Sequence, residues 1–380
     1  MLQQQVRSPE YLFFEAEKKK QFLSGSEAVR EAIRKANVDV AISYPITPQS
    51  ESMHLVGDLF AEGYVKEYFR GENEFAVMSS VAGAAMAGVR VFTATGGPGT
   101  MRAFEMFPVW AGSRLPIVCA FLTRGINSPL TIQPDTIEMA FLLETGMLML
   151  HAETAQDLHD MLLKAFIVAE KTDVHLPVGV FADGFFVTHT KEILHIADAD
   201  SKLPPYDPHC APVPAMDMES VPVRQMRDPF VMKSNFISYA AHASWQQEIE
   251  AAQERSRKHL ERYLGGLVET EHEDAEVLLI TSGTAVSQSR EAMAICRKEG
   301  LSVGLVKIKS IRPFPSDELR RLAAGKYAVI VPELNRVGWL AKEIKARVDD
   351  PRRVIGAPRV FGGMTMPAHL IVDEIRRVLQ

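Results

Sequence analysis

Residues 67–100 read EYFRGENEFAVMSSVAGAAMAGVRVFTATGGPGT, and the reading of the fold turns on them. A strand-like EYF leads past Glu72 and Glu74 into a segment built almost wholly of Ala, Gly, Ser, Val and Met. That composition predicts a helix packed close to its neighbours, because Gly83, Ala84, Ala87 and Gly88 hold nothing away. A second strand, Val89 to Thr95, ends in Gly96-Gly97-Pro98-Gly99, and a new helix follows from Thr100. Strand, glycine turn and helix make an α/β unit with its site at the strand's carboxyl end. The two glutamates admit two readings. Either they favour the helix amino terminus through its dipole and face water, or one sits in a poorly solvated pocket and shares a proton with a ligand nitrogen.

The alternation extends in both directions. Gly25-Ser26-Glu27-Ala28 opens a helix through about Asn37, and VDVAIS (Val38–Ser43) reads as a buried strand. It runs into Tyr44-Pro45-Ile46-Thr47-Pro48-Gln49-Ser50, where two prolines stiffen the loop and present Thr47, Gln49 and Ser50 ahead of another helix. LPIVCAFL (Leu115–Leu122) is a buried strand followed by Thr123-Arg124-Gly125-Ile126-Asn127. The Arg124 guanidinium then lies at the same edge, either holding a carboxylate by two hydrogen bonds or standing as a plain surface arginine beside a turn. Helices are expected at Ile137 to Met149 and Ala155 to Lys171, with LPVGVFAD as a further buried strand. Together these predict a doubly wound parallel sheet over 25–197, behind a leader at 1–24.

From Asp198 the composition changes. Seven prolines fall between Pro204 and Pro229, so 198–270 reads as a proline-rich linker and a long charged helix. His209 beside Cys210 has no partners to make a metal site. VLLITSG, SVGLVKIKSI and YAVIVPELN then give a second, smaller α/β unit over 271–380.

With 380 residues, 47% of them hydrophobic, the chain can bury a core in two or three domains. Its formal charge of -6 gives no electrostatic case for nucleic acid. Lys18-Lys19-Lys20 reads as a solvated helix face. Three distant cysteines, Cys119, Cys210 and Cys296, build neither a zinc site nor an iron–sulfur cluster. Without a signal-peptide core or a membrane-length apolar run, a cytoplasmic protein that contacts no membrane is expected.

Gly25-Ser26-Glu27-Ala28, YPITPQS, the Glu74 helix with VFTAT, and Ile311-Arg312-Pro313-Phe314-Pro315 together resemble the alpha subunit of the 2-oxoacid:ferredoxin oxidoreductases, pyruvate synthase type. The resemblance runs from Gly25 to about Val348, and YPITP is its most specific part. It implies a pyrimidine-type thiamine diphosphate-binding domain followed by a domain like the carboxyl-terminal one of transketolase. In such enzymes a glutamate bonds the pyrimidine ring nitrogen and promotes the tautomer that deprotonates the thiazolium. Glu74 occupies that position, with Tyr44, Pro45, Ile46 and Gly97 as the other cofactor-binding residues. Thr47, Arg124 and Asn127 fall to the substrate, and Glu333 and Asn335 to structure. The resemblance places the diphosphate and Mg2+ on a beta subunit and [4Fe-4S] clusters on ferredoxin-like partners, with gamma and delta subunits completing the complex. Coenzyme A is the implied cosubstrate, and ferredoxin or an NAD-linked carrier the implied acceptor.

Two departures bear on substrate. Where pyruvate enzymes carry Ser-Ser-Gln-Gly and Trp-x-Asp-His-Ser-Asp, this chain has Gly96-Gly97-Pro98-Gly99 and Gln133-Pro134-Asp135-Thr136-Ile137-Glu138. The acidic positions persist while their neighbours change, which suggests a bulkier 2-oxoacid such as phenylglyoxylate. A non-catalytic α/β scaffold subunit, with Glu74 only a helix cap, is the alternative from another class.

Overall fold

The computed structural model describes residues 17–127, 130–198, 201–208 and 239–380. Most of the expected leader, His209, Cys210 and most of the proline-rich run lie outside the described residues. In chain order the first elements are β1 (Lys18–Ser24), α1 (Gly25–Ala36), β2 (Val40–Ser43), α2 (Gln49–Ala61), β3 (Glu67–Arg70), α3 (Glu74–Met86), β4 (Val91–Thr95), α4 (Pro98–Arg102), α5 (Met106–Gly112) and β5 (Val118–Thr123). There follow α6 (Ile137–Leu142), β6 (Leu148–Ala152), α7 (Ala155–Ala169), β7 (Val178–Asp183), β8 (Lys191–Ala197) and α8 (Tyr239–Leu264). The remainder is β9 (Val268–Glu271), β10 (Val277–Thr281), α9 (Ala285–Lys298), β11 (Val303–Ile308), β12 (Ser310–Arg312), α10 (Ser316–Ala323), β13 (Ala328–Ile330), α11 (Trp339–Lys345), β14 (Val354–Ile355) and α12 (Ala368–Leu379).

The main sheet has the order β12-β6-β7-β5-β4-β2-β3. All its strands but β12 run parallel, and β4, β5, β6 and β7 are buried along their whole length, as continuous apolar strands covered on both faces must be. One apolar layer joins α1, α2 and α7 to this sheet. The other holds Val77, Met78 and Val81 of α3 together with Leu278, Ile280, Val306 and Val329 of the second sheet. Local chemistry agrees with these boundaries. Ser24 and Glu27 form a capping box at the start of α1, and Thr154 accepts the Asp157 N–H at the start of α7.

The second sheet has the order β14-β13-β10-β11-β9. It is stitched to the first at several points. β12 leaves it to pair antiparallel with β6. Asp183, at the end of β7, accepts the Thr284 N–H at 2.8 Å and the Thr284 hydroxyl at 2.6 Å. His151 of β6 bonds Ser282 at 3.0 Å, and Glu153 takes Arg290 at 2.7 Å and Lys307 at 2.8 Å.

Three expectations are corrected. Lys18–Lys20 lie not on a helix but in β1, which pairs antiparallel with β8. The helix expected over Ile137–Met149 ends at Leu142, and after Gly146, at φ 84°, the chain enters β6. The small-residue face of α3 is not closely packed within this chain: Gly83 and Ala87 are exposed, and a Cβ on Gly83 would touch nothing within 4 Å. Among the described residues no helix is long and apolar enough to cross a membrane.

The joint at Gly283 gives a direct test. Its φ is 65°, and a Cβ there would stand 2.3 Å from His151 Cε1 and 2.8 Å from Asp183 Oδ2. Gly283→Ala is therefore expected to cost roughly 2 kcal/mol or more of stability, read as a lower denaturation midpoint.

Candidate active site at the carboxyl edge of the main sheet

Glu74 is the first residue of α3, where Asn73 supplies the cap by accepting the Ala76 N–H at 3.0 Å. Cap and carboxylate are thus separate residues. Glu72 is exposed to solvent, whereas Glu74 is 6% exposed. Among the described residues Glu74 accepts no hydrogen bond, and its ion-pair contact is Arg102 Nε at 3.9 Å, on a side chain 62% exposed. The carboxylate rests on the backbone of Gly99, where a Cβ would lie 2.8 Å from Glu74 Oε1 and 2.7 Å from Thr95 Oγ1. Only glycine leaves that carboxylate its place.

The glycine turn is equally tight on its other side. A Cβ on Gly96 would lie 2.1 Å from Leu122 O, and one on Gly97, at φ 54°, 2.4 Å from Arg124 Cγ. Arg124 therefore lies along the turn, donating from Nη1 to Thr47 O at 3.2 Å and from Nη2 to Asn127 Oδ1 at 3.4 Å. The YPITPQS loop is held from below. Gln49 donates to Ala94 O at 2.9 Å and accepts the Ile46 N–H at 3.4 Å, while the close approach of Gly184 to Pro48 supports it from β7. Thr47 stays exposed.

Thr47, Gly97, Arg124 and Asn127 thus form one chain of contacts, and Gly99 ties Glu74 to it. Tyr44, Pro45 and Ile46 share the loop with Thr47 but make no polar contact with Glu74 among the described residues; Tyr44 packs against the apolar layer of α3. Gln49, read as presented by the loop, is instead buried beneath it.

The residues not singled out as site members are Asp135 and Glu138. Glu138, in the first turn of α6, is completely buried and accepts the Gly97 N–H on Oε2. Burial drives its carboxyl up to about 8; the Thr100 hydroxyl and the Gly97 N–H oppose this, Asp135 adds to it and Arg124 opposes it. Asp135 rises to about 6, mainly by burial, against the Ile137 N–H that it accepts at 2.8 Å. An acid set inside the apolar TIEMAFL run was the available signal.

Glu333 and Asn335 have their polar atoms occupied. Glu333 accepts the Leu340 and Ala341 N–H groups at 2.8 and 3.0 Å, and Asn335 accepts the Gly338 N–H at 2.7 Å and donates to Thr136 at 3.1 Å. They seat the second unit on the Asp135–Thr136 turn. Ser282, His151 and Asp183 stand in the order of a hydrolytic triad, but the cavity beside Ser282 is ≈ 10 Å³, room for no more than a water. A cleft of ≈ 510 Å³ between Glu153, Thr284 and Met366 shares no residue with the Glu74 site. No cluster of metal ligands occurs among the described residues.

The doubly wound parallel sheet, with its loops and glycine turn gathered at one edge, is that of a thiamine diphosphate-binding α/β domain. Residues 31–256 match the family described as pyruvate flavodoxin/ferredoxin oxidoreductase, thiamine diphosphate-binding, and residues 275–371 match core domain II of pyruvate:ferredoxin oxidoreductase. The chain belongs to this pyruvate flavodoxin/ferredoxin oxidoreductase family. It is 35% identical to pyruvate synthase subunit PorA of Methanothermobacter thermautotrophicus, over 93% of this chain and 94% of that one. It is 30% identical to ketoisovalerate oxidoreductase subunit VorA of Pyrococcus horikoshii, over 83% and 81%. A solved 2-oxoglutarate:ferredoxin oxidoreductase from Magnetococcus marinus, with 2-oxoglutarate, coenzyme A and succinyl-CoA bound, has the same fold. Its TM-score is 0.80 at 22% identity, covering 96% of this chain and 66% of that one.

The tight turn is open to test. Gly97→Ala forces a side chain into a positive φ and onto Arg124, so it is expected to cost roughly 1–3 kcal/mol, measured as a lower unfolding midpoint in denaturant.

Proposed function

We propose that this chain is the alpha subunit of a thiamine diphosphate-dependent 2-oxoacid oxidoreductase that works only with its partner subunits. One observation carries the reading: a carboxylate buried at a helix start that, among the described residues, accepts no hydrogen bond and has only a 3.9 Å contact with Arg102, with a glycine floor kept clear beneath it. A buried carboxylate of this kind calls for a donor from outside the chain, and a protonated pyrimidine nitrogen supplies one. Glu74, with Gly97 and the Tyr44–Ile46 loop, is the group that would hold the pyrimidine half of the cofactor. Bound there, thiamine diphosphate supplies the electron sink for decarboxylation. Glu74 holds the proton at the ring nitrogen. Thr47, Arg124 and Asn127 bind and orient the substrate, with the guanidinium matched to its carboxylate.

The net reaction converts a 2-oxoacid and coenzyme A into an acyl-CoA and carbon dioxide. The bond between the carbonyl carbon and the carboxylate breaks, a thioester bond forms, the thiol proton is released and two electrons leave. This chain has three cysteines, with Cys119 and Cys296 buried apart, so the electrons go to [4Fe-4S] clusters on partner subunits and on to ferredoxin or an NAD-linked carrier. The diphosphate and Mg2+ belong to the beta subunit, with gamma and delta subunits completing a cytoplasmic complex.

The substrate is pyruvate-like or bulkier, up to an arylglyoxylate such as phenylglyoxylate. The Gly96–Gly99 turn offers no polar side chain, and Leu130 and Ile132, just beyond the Arg124–Asn127 segment, are exposed apolar residues. Relatives named for pyruvate and for ketoisovalerate are consistent with that range.

Glu74→Gln, assayed as dye reduction in the assembled complex, is expected to lose about 10²-fold or more in kcat; near-normal activity would favour a scaffold subunit. Across a panel of 2-oxoacids the wild-type complex is expected to prefer an apolar acid larger than pyruvate in kcat/KM. Activity on pyruvate with none on larger acids contradicts the bulky-substrate assignment.

A further inference from the structure

Among the described residues four buried polar atoms around the glycine turn make no hydrogen bond of good geometry: Thr95 Oγ1, Thr100 Oγ1, Glu138 Oε1 and Arg124 Nε, although the Thr100 hydroxyl lies close enough to Glu138 to favour its charged form. Such atoms are individually costly, and their gathering beside Glu74 marks the turn as tuned for something other than stability. Glu138 stands at its centre. It comes from α6, accepts the Gly97 N–H on one oxygen and leaves the other bare. It lies close enough to Arg124 for their charges to interact, yet among the described residues the two form no ion pair. Arg124 instead turns both guanidinium ends outward, to Thr47 O and Asn127 Oδ1.

We infer that Glu138 is a positioning residue that works as a neutral acid: it anchors the glycine turn through Gly97 while leaving Arg124 free for the substrate carboxylate. Ionising it would set a buried carboxylate in competition with the substrate for the same guanidinium.

The surroundings favour the neutral form. Burial is the largest influence on Glu138, and Asp135 on the same segment opposes its ionisation. Asp183 of β7 in turn acts on Asp135, as does Arg336 with the opposite sign. Cys119 of β5, which would feel an ionised Glu138, is held a neutral thiol mainly by burial. Against these stand the Gly97 N–H, the Thr100 hydroxyl and Arg124. The balance leaves the carboxyl titrating at about 8. A carboxyl raised in the folded chain contributes stability that is whole below the ordinary value of 4.5 and is lost as pH climbs through about 8.

The substrate part of this inference rests on the proposed 2-oxoacid activity, so the test has one arm that needs no activity. Glu138→Gln keeps an acceptor for Gly97 and cannot ionise. In the assembled complex, the melting temperature of the variant relative to wild type is expected to rise between about pH 4.5 and about pH 8 and to level off above that; a constant difference overturns the neutral acid. In the second arm, wild-type KM for the 2-oxoacid climbs at alkaline pH while that of Glu138→Gln stays flat. A wild-type alkaline limb that persists in the variant overturns the link to Arg124. A complex that turns over no 2-oxoacid sinks the activity reading and leaves the first arm to decide. Should the variant not assemble, infrared titration of the wild type decides: loss of a protonated-carboxyl stretch near pH 8 supports the inference, and no such band at neutral pH overturns it.

Discussion

The rest of the site is arranged around the Glu74 carboxylate, held at a helix start against a glycine floor, 6% exposed and, among the described residues, paired no more closely than with Arg102 Nε at 3.9 Å. The helix start beneath it gives partial compensation through aligned N–H groups, but Asn73 already occupies the capping position. What remains is a carboxylate that, among the described residues, accepts no hydrogen bond. The surrounding structure maintains that condition. Gly99 keeps the space clear, Val77, Met78 and Val81 bury the base of α3, and β4 fixes the turn opposite.

The same turn lies between Glu74 and Arg124, the two ends of the proposed site. Gly99 faces Glu74, Gly96 presses on Leu122 of β5, and Gly97 carries Arg124 on one side and Glu138 on the other. Because the glycines meet backbone and side-chain atoms at less than van der Waals distance for any Cβ, the turn has no slack. The second unit enters this arrangement indirectly. Its Glu333–Asn335 segment bonds the Asp135–Thr136 turn that leads into α6, and its Thr284 closes on Asp183 at the end of β7.

Much of this fold is legible in the sequence. The buried strands announce themselves as short apolar runs bounded by turns, and Glu74, Thr47 and Arg124 each follow a strand at one edge. The β1–β8 ribbon was not legible, since strands that pair far apart in sequence leave no local signal, and three lysines suit a solvated helix as well as an exposed strand. β6 was lost because LMLHA is too short to show a period and follows a helical pattern directly. The exposed face of α3 shows a further limit: small residues say that a neighbour can come close, not which molecule supplies it. Glu138 was visible as an acid in an apolar run, but its contact with Gly97 depends on α6 crossing the turn, which only the fold reveals.

The most direct test of the account is a structure of the assembled complex loaded with thiamine diphosphate. The account predicts the Glu74 carboxylate in hydrogen-bond contact with the pyrimidine ring nitrogen, above an undisturbed Gly99. A cofactor whose pyrimidine is held by another residue, with Glu74 turned to Arg102 or to water, would contradict it.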